Sequence, residues 1–240
     1  MTELLSVSGI SKRFRGLTAV SNVSFNVHAG EIFAVIGPNG AGKTTLFSMI
    51  AGALAPDEGR ITFAGERIEG LRPDQIARRG IGRTFQIVRP FPALSVEDNV
   101  VIGALLQTDA LDRAHQIAEQ TMVQLDLIGK RDQIASSLTL PDRKRLEVAR
   151  ALATGPKLLL LDEVMAGLRP TETDRIVATL RELNAGGVTI LLIEHVMRAV
   201  TALASRILVL HHGAAIAEGS PEQVLRDPAV IESYLGAESL

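Results

Sequence analysis

The feature that most constrains the fold of this chain is the run Gly37-Pro38-Asn39-Gly40-Ala41-Gly42-Lys43-Thr44-Thr45. An uninterrupted apolar segment, from Ile32 to Ile36, precedes it and predicts a buried parallel strand, because the segment shows no polar alternation. The segment from Leu46 to Ile50 follows and predicts the first turns of a helix. A strand, a glycine-rich turn and a helix, in this order, are the context that a phosphate-binding P-loop requires.

The residue types in this run suit a phosphate. Gly37, Gly40 and Gly42 let the backbone curl and bring successive N–H groups around the ligand. The helix that follows adds its unpaired N-terminal donors and the positive end of its dipole. Lys43 supplies a positive charge for the β- and γ-phosphates, and the Thr44 hydroxyl is suited to bind Mg²⁺. The run therefore predicts nucleotide binding.

Composition narrows the remaining possibilities. The chain has 240 residues, which suits one α/β domain or one domain with a modest insert. It has no cysteine, which excludes disulfides and thiolate metal sites and fits a reducing compartment. A formal charge of −2 and few aromatic residues give no basic, base-stacking surface, so we expect no nucleic-acid partner. The apolar runs are all shorter than the ~20 residues of a membrane helix, and no signal peptide is visible.

Two further apolar runs also end in polar residues. Leu158 to Leu161 ends at Asp162-Glu163, and Val188 to Ile193 ends at Glu194-His195. Because ligands bind at the carboxyl edge of a parallel sheet, these residues should lie near the P-loop. Asp162 is suited to orient the Mg²⁺ that Thr44 binds, and Glu163 to polarise an attacking water as general base. His195 is suited to contact the γ-phosphate or position that water.

The flanking segments predict antiparallel strands. Residues 4–28 predict short strands, since Val23, Phe25 and Val27 alternate with polar residues, and residues 61–65 predict another strand that ends in a turn. Residues 207–218 predict a hairpin across His212-Gly213, followed by a short helical tail. Phe14 stands between two arginines on a predicted loop upstream of the P-loop, where it could stack on an adenine ring or simply pack.

The middle third of the chain has helical spacing. Ser95 and Asp98 have the form of a helix N-cap box, and the helical pattern continues to about Ala153. Before it, residues 84–92 contain two prolines and predict a loop or an edge strand. Gln86 is an amide in this loop that could touch Mg²⁺ or the nucleophilic water.

Phe14, GPNGAGKTT, Gln86, LLLLDE and His195, in this order and spacing, resemble the nucleotide-binding subunit of an ABC transporter over essentially the whole chain. The resemblance implies a single ATP-binding domain over residues 1–240, with an α/β P-loop NTPase fold and a RecA-like parallel core. It also implies an N-terminal antiparallel β subdomain and a helical subdomain at about residues 87–153.

The same resemblance implies how such a subunit works. ATP and Mg²⁺ would lie between two ATP-binding subunits, each supplying a signature motif to the P-loop of the other. Hydrolysis would drive transmembrane permease subunits from the cytoplasmic face of the inner membrane, where the chain would be peripheral. A permease helix would dock near Gln86, Ile87, Val88 and Phe91, a patch that simple core packing would also explain.

The segments GIGRTFQIVRPFPALSVEDNV and AEGSPEQVLRDPAVIESYLG resemble the ATP-binding subunits of branched-chain amino acid importers. Urea or amide importers and the ATPases of lipopolysaccharide export are similar enough to remain open. Two functions of other classes also remain open: a non-transport ABC-type ATPase and a regulator that no longer hydrolyses ATP. The absence of a second ATPase unit disfavours the former, and the retention of Glu163 and His195 disfavours the latter.

One segment departs from the family pattern. The signature LSGGQ is replaced by Leu138-Thr139-Leu140-Pro141-Asp142, in which Leu138 and Thr139 keep the implied nucleotide-contacting places. Pro141 has no N–H to offer a phosphate, and Asp142 brings a negative charge unless another group offsets it. Thr139 is expected to cap the helix, with Asp142 completing the capping box. These changes suggest an asymmetric dimer in which a different ATPase subunit supplies a competent signature.

Overall fold

The computed structural model describes residues 2–84 and 90–235. These residues form ten strands: β1 Glu3–Phe14, β2 Leu17–His28, β3 Ile32–Ile36, β4 Glu58–Phe63, β5 Glu66–Arg67, β6 Ile81–Arg83, β7 Leu158–Asp162, β8 Thr189–Ile193, β9 Arg206–His211 and β10 Ala214–Gly219. They also form nine α-helices: α1 Lys43–Ile50, α2 Pro73–Arg78, α3 Val96–Ala104, α4 Leu111–Gln124, α5 Leu140–Leu152, α6 Pro170–Ala185, α7 Met197–Leu203, α8 Pro221–Val224 and α9 Pro228–Leu235.

The central sheet has the strand order β10-β9-β3-β8-β7-β6. All its pairings are parallel except that of β10 with β9. Strands β3, β8 and β7 are neighbours, and every residue in them is buried. The prediction of three buried parallel strands is confirmed, and their carboxyl ends meet at one edge.

An antiparallel sheet, in the order β2-β1-β4-β5, covers one face of the central sheet. Along β3 the side chains alternate: Phe33 and Val35 join the apolar cluster beneath the antiparallel sheet, whereas Ala34 joins the cluster on the helical side. Phe25 of β2 stacks on Phe33 with their ring centroids 5.4 Å apart. The half-exposed pattern predicted for β2 is confirmed, since Val23, Phe25 and Val27 are buried.

The middle third is helical, as its spacing predicts. Ser95 caps α3: its hydroxyl accepts from the Asp98 N–H at 3.0 Å, so this capping box is confirmed. The capping box predicted for α5 is wrong in part. Thr139 does occupy the N-cap position, but its hydroxyl donates to the Asp142 carboxylate at 2.5 Å and caps no backbone N–H.

The C-terminal hairpin of β9 and β10 and the short helices after it also follow the sequence prediction. Within residues 2–84 and 90–235, no helix combines the length and the apolar composition needed to cross a bilayer. The division of the chain into subdomains stays a prediction.

Candidate nucleotide-binding and hydrolysis site

Two glycines let neighbouring backbone approach the loop between β3 and α1. Gly37 has φ 149°, and a Cβ there would lie 2.1 Å from the Leu210 carbonyl oxygen. Gly42 has φ 101°, and a Cβ there would lie 2.3 Å from the Ala19 carbonyl oxygen. Because these distances exclude any side chain, strands β9 and β2 hold the loop from both sides. The loop then leads into α1, whose first turn contains no acidic residue to compete with an anion.

Lys43 folds back over this loop. Its Nζ donates to the Gly37 carbonyl at 2.7 Å and to the Pro38 carbonyl at 2.9 Å. Burial lowers the pKa of Lys43, although the charges of Glu163 and Asp162 act in the opposite direction. The ammonium group therefore lies close to both acidic residues that the sequence places at the end of β7.

A cavity of about 490 Å³ opens beside the loop. Its walls are Phe14, Leu17, Thr18, Ala19, Asn39, Gly40, Ala41, Gly42, Lys43, Thr44, Thr45, Glu163 and His212. Phe14 is half-exposed at the end of β1, where it pairs with Leu17 in a tight hairpin and not in a longer loop. His212 was predicted only as a turn residue, and no sequence pattern indicated its place in this wall.

Asp162 is completely buried at the end of β7. Its Oδ2 lies 3.4 Å from an Arg83 guanidinium nitrogen, and its Oδ1 has no hydrogen-bond partner among the residues described. Burial raises the pKa of this carboxyl, and the Arg83 charge opposes that rise. A buried carboxylate oxygen without a partner fits a role for Asp162 in binding a hydrated cation.

Glu163 and His195 form a direct pair. The His195 Nε2 and the Glu163 Oε1 are 2.7 Å apart, which joins the ends of β7 and β8. Glu163 has φ 51°, an uncommon value for a residue with a side chain. Its N–H donates to the Ile193 carbonyl at 2.9 Å, which holds this backbone conformation in place.

Glu194, which the sequence analysis gave no role, lies between the end of β8 and His195 and is only 1% exposed. It accepts from the Met165 N–H at 2.8 Å and from the His195 N–H at 3.3 Å. Burial raises its pKa to about 7, despite these hydrogen bonds and the nearby Lys144 charge. The only sequence signal for it was an acidic residue immediately after a buried strand.

Leu138 and Thr139 lie at the start of α5 and are not part of the cavity wall. The Leu138 side chain is buried, so only its backbone is available to a ligand. Asp142 is paired with Lys130, and an Arg145 nitrogen lies 3.6 Å from its Oδ1. Although burial opposes it, these partners and Thr139 lower the pKa of Asp142. Positive charges that offset the negative charge of Asp142, which the sequence alone could not identify, are therefore present.

Gln86, Ile87 and Val88 fall outside the described residues, so the predictions for them remain predictions. Phe91 is described: its backbone N–H donates to the Asn99 side chain at 2.8 Å, and its ring lies 4.9 Å from the Arg150 guanidinium.

A glycine-rich loop between a parallel strand and a helix, with a buried Asp and a Glu at the end of a nearby strand, defines a P-loop NTPase. Residues 20–166 match the ABC transporter family, and residues 216–239 match the family described as branched-chain amino acid ATP-binding cassette transporter. The chain belongs to the ABC transporter family, as an ATP-binding subunit and ATPase.

Individual relatives agree with this assignment. The high-affinity branched-chain amino acid transport ATP-binding protein LivG of Salmonella typhimurium is 43% identical, over 97% of this chain and 98% of that protein. The lipopolysaccharide export system ATP-binding protein LptB of Acidithiobacillus ferridurans is 37% identical, over 98% of each chain. A solved ATP-binding cassette of an ABC transporter, in its ADP conformation, superposes with a TM-score of 0.89 at 34% identity. That match covers 98% of this chain and all of the solved one.

Proposed function

We propose that this chain hydrolyses ATP to drive the import of branched-chain amino acids or related small solutes. The observation that carries the catalytic part is the pair of Glu163 and His195, 2.7 Å apart, with Glu163 in the wall of the P-loop cavity. The identity to LivG and the match of residues 216–239 support the solute class. Lipopolysaccharide export is the second candidate, favoured by the identity to LptB.

In this proposal the phosphates of ATP lie on the backbone of Gly37, Pro38, Asn39, Gly40, Ala41, Gly42, Lys43, Thr44 and Thr45. The Lys43 Nζ then donates to phosphate oxygens in place of the Gly37 and Pro38 carbonyls. Phe14 stacks on the adenine. Glu163 accepts a proton from the attacking water, and His195 holds the Glu163 carboxylate by the contact of its Nε2.

Thr44, Asp162 and Gln86 are the proposed holders of Mg²⁺, which neutralises the charge of the β- and γ-phosphates when bound. The Oδ1 of Asp162, which has no hydrogen-bond partner within residues 2–84 and 90–235, supports this assignment. In the described part of the chain, no three His, Cys, Asp or Glu residues cluster as a metal site. This is the pattern expected where the nucleotide and water supply most of the ligands.

The proposed partners are transmembrane permease subunits and a second ATP-binding subunit. A groove of about 340 Å³ runs between α2, β6, α3 and α5, and its walls include Ile76, Ile81, Ile102 and Arg150. This groove is mainly apolar with a few charged residues in its walls, which suits an amphipathic permease helix at the cytoplasmic face of the inner membrane. The second ATP-binding subunit is proposed to be a different chain, since Leu138–Asp142 lacks the signature glycines.

The catalytic assignment is tested by Glu163→Gln. This change keeps the shape of the side chain and removes the base, so ATP turnover should fall about a hundredfold or more. ATP should still bind and should trap the dimer, which light scattering measures. The matched control is Glu222→Gln on the exposed side of α8, which should leave turnover unchanged. Unchanged turnover in Glu163→Gln would refute the assignment of the base.

The solute class is tested separately. The chain is reconstituted in proteoliposomes with a second ATP-binding subunit and with whichever membrane subunits and solute-binding protein its neighbouring genes encode. Leucine on the binding protein should stimulate ATP turnover, whereas urea should not. Stimulation by urea alone, or neighbouring genes for lipopolysaccharide export, would replace the proposed solute and leave the ATPase assignment intact.

A further inference from the structure

Lys144 is a buried lysine with no role in the mechanism above. It lies in α5, two residues after Asp142, and only 5% of it is exposed. Its Nζ donates to the Glu163 carbonyl oxygen at 2.7 Å. The contact joins the helix that begins at the degenerate signature segment to the main chain of the proposed general base.

The surroundings of Lys144 are acidic. Burial lowers its pKa, and the charges of Glu194, Glu163, Asp162 and Glu147 oppose that shift. A buried lysine is costly without compensation, and here the Glu163 carbonyl accepts its hydrogen bond while nearby acidic groups favour its charge. Lys144 therefore joins Lys43 and Arg83 as a cation near the acidic residues of the proposed hydrolytic site.

The contact falls on a strained part of the backbone. Glu163 has φ 51°, a conformation that is unfavourable in a residue with a side chain and persists only where its surroundings fix it. The Glu163 N–H donates to the Ile193 carbonyl, and the Glu163 carbonyl accepts from Lys144 at 2.7 Å and, more weakly, from the Ala166 N–H at 3.3 Å. With both ends of the residue held, the direction of its carboxylate towards His195 is set.

We propose that Lys144 is a positioning residue for ATP hydrolysis, which aims the Glu163 carboxylate through the Glu163 main chain. This inference rests on the proposed function, because it takes Glu163 as the general base. Lys144 itself touches neither nucleotide nor water in this account. It should affect the rate of the chemical step and not the affinity for ATP.

The test is a double-mutant cycle between Lys144 and Glu163 in the full-length chain, assembled with its partner ATP-binding and membrane subunits. Lys144→Met removes the donor and should lower kcat about 10- to 100-fold, the loss expected from misplacing a catalytic group by about 1 Å. The affinity for a fluorescent ATP analogue should stay the same. Lys144→Arg keeps a charged donor and should recover most of the lost rate. In a Glu163→Gln background, Lys144→Met should cause no further loss.

The control variant is Arg143→Met, which removes the neighbouring cation of α5 and should leave kcat unchanged. Should Lys144→Met fail to fold, as judged by circular dichroism, the same cycle is run with Lys144→Gln. An equal loss of rate with and without Glu163, or a loss of ATP affinity, would overturn the positioning role. A normal rate in Glu163→Gln alone would instead refute the proposed function.

Discussion

The carboxyl group of Glu194 makes the stability of the protein depend on pH. Burial raises its pKa from 4.5 to about 7, so the folded state keeps a proton that the unfolded chain has already released. The free energy of unfolding therefore falls as pH rises through this interval, by about 3 kcal/mol in total. Below pH 4.5 the group is protonated in both states, and the penalty is absent.

Glu194→Gln should remove this dependence, because an amide is neutral at every pH and can still accept from the Met165 N–H. Urea denaturation at about pH 5 and about pH 8 measures the difference in the free energy of unfolding. Between these two pH values the free energy of unfolding of the wild type should fall by about 3 kcal/mol more than that of the variant. Glu222→Gln, an exposed change, should keep the wild-type difference. An identical pH dependence in Glu194→Gln would show that the buried carboxyl is not its source.

The positions of single residues in the fold were predictable where a local sequence pattern indicates them. Asp162, Glu163 and His195 each follow an apolar strand, and the edge they share is a property of any parallel sheet. The contacts of Arg83 and Lys144 were not predictable in this way. Arg83 reaches Asp162 because β6 pairs with β7, and Lys144 reaches Glu163 because α5 packs beside the same strand. Both contacts depend on which elements become neighbours, and a periodicity does not contain that information.

At the scale of elements, α3 and α5 pack unusually closely at Gly103. A Cβ at this position would lie 2.4 Å from the Arg150 carbonyl oxygen. Gly103→Ala should therefore push the two helices apart and lower the free energy of unfolding by about 1–3 kcal/mol, as overpacking does. Urea denaturation measures the loss.

The matched control for this change is Gly129→Ala. Nothing lies within 4 Å of a Cβ at Gly129, so the same substitution should change stability by less than about 0.5 kcal/mol. Equal effects of the two substitutions would mean that the close approach of the helices is not what the glycine provides.

Elements with a strong periodic or apolar pattern were predicted well, and their ends less so. Ser95 caps α3 as expected, because its hydroxyl donates to the Asp98 carboxylate at 2.6 Å and still accepts from the Asp98 N–H at 3.0 Å. Thr139 does not cap α5, because its hydroxyl donates to the Asp142 carboxylate, which is also paired with Lys130 from a preceding turn. A capping box is a local rule, and here a contact between separate segments overrides it.

At the scale of the whole molecule, two parts of the chain are proposed to contact nucleotide, a P-loop half and a signature half at Leu138–Asp142. They differ in how many of the expected groups they retain. The P-loop half has Lys43, Glu163 and His195 in contact or close proximity, whereas the half at Leu138–Asp142 has lost its glycines. The structure removes one of the two objections to that half, since Lys130 and Arg145 offset the charge of Asp142. The missing N–H of Pro141 remains, because proline has no backbone donor to offer.

The asymmetry can be tested by restoring the family signature through Leu140→Gly, Pro141→Gly and Asp142→Gln together. Backbone donors that face a phosphate are worth about a hundredfold each in rate, so the turnover of the purified chain should rise about tenfold or more. The two new glycines loosen the backbone at the start of α5 and should cost about 0.5–1 kcal/mol each in stability, which thermal denaturation checks. Glu163→Gln in the same background should abolish the gain, since the restored segment acts on the chemistry at Glu163. If the wild-type chain alone already hydrolyses ATP with strong cooperativity and normal turnover, a different partner subunit is not required and the asymmetric dimer is wrong.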